Sequence, residues 1–139
     1  MVGNEGSYPL YDVEVQAVDD IKFQEMLTPS EKQNKEISLE KLQKARSIYQ
    51  VGNLAPSTAR PLAEWLLPER DRHAYTFNII ARNGYVVTEL RLYRVKGHWK
   101  SAKKTIKPGP SQKEDIVLME KVDADFPRDI NGKVQWENP

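Results

Sequence analysis

Residues 73–107 read HAYTFNIIARNGYVVTELRLYRVKGHWKSAKKTIK, and this stretch decides the fold. Tyr75, Phe77, Ile79 and Ala81 fall on one side of a period-two pattern, with Thr76, Asn78 and Arg82 on the other. That alternation is the mark of a half-buried strand. Asn83-Gly84 follows at once and predicts a type I′ turn, which needs positive φ at both central residues. The returning strand covers residues 85–95, with Val86, Leu90 and Leu92 inward. Lys96-Gly97 predicts a second tight turn into a strand over 98–107. Trp99 and Ala102 cannot share a face of a regular strand, so either a bulge separates them or one faces outward. Tryptophan on a strand usually fills a core, which places Trp65 and Trp99 inside.

Working outward, residues 9–20 alternate as well: Tyr11, Val13, Val15 and Ala17 against Asp12, Glu14 and Gln16. A helical signal then opens at Asp19-Asp20, with Ile21, Phe23 and Leu27 as its apolar stripe and Pro29 as its end. Residues 28–38 are polar and read as a surface loop. Ser38 is placed to cap a short helix over 39–46 that buries Leu39 and Leu42. This helical insert, about 20–46, is expected across one end or edge of a sheet. Short strands follow at 47–51 and 59–67, separated by turn chemistry at Gly52-Asn53 and Ala55-Pro56-Ser57. Downstream, 108–115 is a Pro/Gly/Ser loop and 116–122 is a last strand. The segments 1–8 and 123–139 read as flexible ends outside the strand pattern, the tail either packing Phe126 or Trp136 against the body or staying partly free. The whole of 1–139 reads as one domain of about seven antiparallel strands, since strands so spaced point to a sandwich or barrel.

The chain holds 21 basic and 20 acidic residues, a net charge of +1, which gives no global pull toward nucleic acid or an anionic membrane. Absence of cysteine removes disulfides, thiolate catalysis and cysteine-ligated zinc. No apolar run reaches the length of a membrane span. His73 and His98 open two different strands and read as surface side chains rather than zinc ligands, for which about four donors are needed. There is no G-x-S-x-G elbow and no Gly-rich phosphate loop. Asp123, Asp125 and Asp129 do not follow the EF-hand order and read as a solvated acidic tail. No catalytic residue, metal or cofactor is therefore expected.

Charge placement is uneven. Residues 90–113 hold Arg91, Arg94, Lys96, Lys100, Lys103, Lys104, Lys107 and Lys113 with no acid, while residues 1–25 and 115–139 are each predominantly acidic. Arg91, Arg94, Lys100, Lys103 and Lys104, with Trp99, could grip a polyanion or nucleic acid, the aromatic ring stacking on a base. A carbohydrate platform built on Trp65 and Trp99 is a further alternative. The balanced total charge favours a structural account in which acidic strands lie beside basic ones.

Two motifs carry a resemblance. Asn4-Glu5-Gly6 precedes Val13-Glu14-Val15, and Val51-Gly52-Asn53-Leu54-Ala55-Pro56-Ser57 comes later. The pattern resembles bacterial immunoglobulin-like and fibronectin-III-like sandwich modules, among them uncharacterised domains of larger, membrane-tethered proteins. The resemblance implies a two-sheet immunoglobulin-like sandwich with the helical insert between the first and second strands. It also implies a non-enzymatic accessory role with a protein partner. In such modules a strand precedes the N-x-G turn, where this chain has three residues. An unfilled slot there would leave a sheet edge open to strand addition by a partner.

Overall fold

The structure, a computed structural model, describes residues 1–34, 39–64 and 66–137. Among the described residues, eight strands form two antiparallel sheets. The large sheet has the order β3-β2-β5-β6-β7-β8, from β2 (Leu10–Asp19), β3 (Arg46–Leu54), β5 (Arg72–Ala81), β6 (Gly84–Val95), β7 (His98–Lys107) and β8 (Ile116–Val122). The small sheet pairs β1 (Val2–Asn4) with β4 (Thr58–Arg60). Six strands thus share one sheet, where a seven-stranded immunoglobulin-like sandwich would divide them more evenly.

The decisive stretch folds back twice, as its alternation requires. Tyr75 faces Leu90, Phe77 faces Thr88 and Ile79 faces Val86, which puts the expected apolar residues on one face, called here the front. The first turn differs from expectation. Ala81 pairs with Gly84, so Arg82-Asn83 forms the loop, and neither Asn83 nor Gly84 has positive φ. The Asn83 side chain is used elsewhere: it accepts from the Tyr11 N–H and donates to the Pro9 carbonyl. The second turn carries the left-handed geometry instead, with φ of 50° at Lys96 and 78° at Gly97. No bulge separates Trp99 from Ala102. The register is regular, and they lie on opposite faces, Ala102 fully buried and Trp99 37% exposed.

In β2 the alternation holds from Val13 to Ala17, all buried, and fails at Tyr11, which is exposed. Register shifts on both sides of Val13 and a φ of 50° at Asp12 mark a bulge, which turns Tyr11 away from the core. The three residues before Asn4-Glu5-Gly6 are not idle: β1 pairs with β4, and the buried Asn4 amide donates to the Tyr8 and Leu54 carbonyls. The helical insert therefore follows the second strand of the chain rather than the first.

The insert contains α1 (Asp20–Met26), α2 (Pro29–Asn34) and α3 (Leu39–Ala45). Asp19 caps α1 by accepting from the Lys22 N–H. The polar loop expected over 28–38 holds α2. Thr28 and Glu31 form a reciprocal capping box, each side chain accepting the other's backbone N–H, with Pro29 at the first helical position. In α3 Ala45 is buried, whereas Leu39 is 71% exposed. The Ser38 cap lies outside the described residues. The strand expected over 59–67 is only β4, because Pro61 and Pro68 withhold ladder N–H groups; Trp65 is outside the described residues.

The two halves of the large sheet are covered on opposite faces. Val2 and Leu54 meet Val13 and Val15 in a buried cluster, flanked by Tyr49, Phe77 and Ile79, on the front of β2, β3 and β5. On the back, the tail beyond β8 crosses β6 and β7. Phe126 is 4% exposed and meets Tyr93 edge to face, and Lys104 lies 4.7 Å from the Trp136 ring centre.

Candidate interaction surface

The basic residues singled out in the sequence do not form one surface. Register sends Arg94, Trp99 and Lys103 to the front of the sheet and Arg91, Lys100 and Lys104 to the back. Most of them have carboxylates. Lys104 pairs with Glu89 at 3.1 Å, Lys100 with Asp125 at 3.7 Å and Arg94 with Asp71 at 3.7 Å. Arg94 also lies 4.8 Å over the Trp99 ring, and His73 stands 5.2 Å away on the same ring. Lys103, exposed, has no ion pair among the described residues.

Arg91 is buried at the centre of a polar cluster. Its guanidinium reaches Asp20 at 3.4 Å and donates to the Trp136 carbonyl at 2.6 Å. Asp20 also accepts from the Thr76 hydroxyl at 2.8 Å. Burial pushes the Asp20 carboxyl up to about 6, against the Thr76 hydrogen bond and Arg91. An acid whose folded pKa is raised loses its proton first in the unfolded chain, so it costs stability as pH rises between the two values. A rise from 3.8 to about 6 corresponds to about 3 kcal/mol. Asp20→Asn should remove that dependence. The stability of the variant relative to the native chain is expected to increase from pH 4 to pH 6 by up to about 3 kcal/mol in urea titrations, then level off. A difference that stays constant with pH would exclude Asp20 as its source.

His73 is a correction: it is 1% exposed, not a surface side chain. Cross-strand Leu92, Tyr75 and Trp99 enclose it, and among the described residues neither ring nitrogen makes a hydrogen bond of good geometry. Burial, with the Arg70 charge, holds its pKa below the ordinary histidine range, while Asp19 and the Arg70 backbone pull the other way. Among the described residues, no three His, Asp or Glu side chains converge as metal ligands. The tail acids have local partners: Asp123 accepts from Ser101, and Asp129 accepts from the Asn131 and Lys133 N–H groups. An open groove of about 470 Å³ runs beside β2 and β5, with Asp19, Lys22, Lys44, Ser47, Glu64 and Tyr75 along it. Its Asp19 is held by Arg70 at 3.1 Å. No helix among the described residues is long and apolar enough to cross a membrane.

The sheet edges are less balanced. The β3 edge is partly occupied, since Arg60 donates to the Val51 carbonyl at 2.9 Å. Among the described residues, β8 pairs with β7 alone. Ile116, Val117 and Leu118 are each more than half exposed along it, at 57%, 54% and 55%. A bulge sets Leu118 out of register: Val117 faces Ile106 and Met119 faces Thr105. The sequence places a strand over 116–122 but not its exposure, because an edge position leaves no mark in composition. No family model, curated protein or solved structure matches this chain.

Proposed function

We propose that this chain is a non-enzymatic accessory module of the antiparallel sandwich type that binds a protein partner by strand addition at the β8 edge. The observation that carries this reading is the run Ile116-Val117-Leu118, apolar, exposed and, among the described residues, without a strand on its outer side. Unpaired strand edges offer backbone N–H and C=O groups to an extended segment, and natural proteins usually blunt such edges. Here Glu120 and Lys121 blunt the second half of the strand and the bulge at Leu118 interrupts its middle, which leaves Ile116 and Val117 as the regular open stretch.

A randomised ten-residue peptide display library tests the reading. Selected peptides should shift the backbone amide resonances of residues 116–122 in the labelled protein, leaving β3 unchanged. Leu118→Glu should weaken them by about tenfold, since it puts a charge into the apolar contact. Resonance changes confined to the groove beside β2 and β5, or to β3, would refute strand addition at β8.

A further inference from the structure

Resting on that reading, we infer that the β8 edge takes an acidic extended segment whose carboxylates lie on the front face against Lys121 and Lys103. The two lysines are direct cross-strand partners. Like charges placed opposite one another destabilise a ladder, and among the described residues neither has a carboxylate partner. Lys107 lies two positions along from Thr105, on the same face, and is exposed. The neighbouring Asp123 is taken by the Ser101 N–H and hydroxyl.

The back of the same strands is built differently: Lys104 stands opposite Glu120 and pairs with Glu89. Charge is matched on the covered side and unmatched on the open one. A strand laid beside β8 sends alternate side chains to the front, next to Lys121, and acidic residues at those positions supply the missing carboxylates. A second copy of this chain fits poorly, because it brings another Lys121 and its bulge at Leu118 breaks the facing register. A single-stranded nucleic acid needs open rings to stack on, and the exposed Trp99 on this face is already covered by Arg94.

The test is fluorescence anisotropy of the full chain with three labelled decapeptides. One alternates glutamate with threonine, one has glutamine in place of glutamate, and one is the glutamate peptide with a central proline. The glutamate peptide should bind about tenfold more tightly than the glutamine peptide at low salt, and the advantage should shrink at about 0.5 M salt. K121E and K121Q should both abolish that advantage, with circular dichroism confirming the fold, and the proline peptide should not bind. Equal binding of the first two peptides overturns the acidic preference and leaves strand addition standing. Binding by neither overturns both. Proline-insensitive binding, tighter binding of an oligothymidylate, or dimerisation through β8 in sedimentation at the same concentrations each overturns the inference.

Discussion

Truncating Leu54 to alanine is expected to lower the unfolding free energy by about 3 kcal/mol, because it combines lost transfer energy with a cavity that the surroundings cannot fill. Leu54 ends β3 at 1% exposure, among the largest fully buried side chains of the protein. It joins the small sheet to the large one: it packs with Val2, Val13 and Val15, and its carbonyl accepts from Asn4. Collapse around the void is restricted, since Val13 sits in the β2 bulge and Asn4 is fixed by two hydrogen bonds. Urea denaturation would measure the loss. A change below about 1 kcal/mol, the scale of an ordinary surface substitution, would mean that the small sheet does not cover this core.

Arg91→Met is expected to cost a similar amount, about 3 kcal/mol at pH 7, because it breaks a buried pair, drives Asp20 toward its protonated form and leaves buried carbonyl acceptors without their donor. Methionine keeps most of the aliphatic stem, so the loss reports on the guanidinium. That group reaches Asp20, the Tyr75 carbonyl and the Trp136 carbonyl. Without it, Asp20 keeps the Thr76 hydroxyl as its hydrogen-bond partner and the tail loses the hydrogen bond from Arg91 to the Trp136 carbonyl. The loss should be smaller at pH 5, where the Asp20 carboxyl is largely protonated, and Trp136 should become more exposed to a fluorescence quencher. Combining the substitution with Asp20→Asn should recover about 1–3 kcal/mol of the sum of the single effects, as expected for groups in direct contact. Strict additivity would show that Asp20 and Arg91 are not energetically joined.

The strands of residues 73–107 were legible because period-two alternation follows from the pleat, and no bulge interrupts their pairing with one another. The turn at Asn83 was misread because its side chain bonds to the Pro9–Tyr11 segment, a partner far off in sequence. The α2 helix was signalled by Thr28-Pro29-Ser30-Glu31, a capping box hidden in a polar run with no apolar stripe to draw notice. His73 deceived in the opposite sense: a polar side chain read as exposed is enclosed by residues of β6 and β7 as well as its own strand. The basic cluster was visible as composition, but its division between two faces depends on register. The open β8 edge depends on which strand comes last in the sheet order, and that is a property of the assembled fold.

The sheet order also sets the cost of assembly. From β5 to β8 each strand pairs with the next one along the chain, through tight turns or a short connection. The junction of β2 with β5, by contrast, brings Val15 to Ile79 across the helical insert and both strands of the Arg46–Arg60 stretch. Closing a long loop loses more chain entropy than closing a hairpin, and non-local pairings slow folding. The β5–β8 meander is therefore the part of the sheet whose pairing costs the least chain entropy, and the β2–β5 junction the part that costs the most.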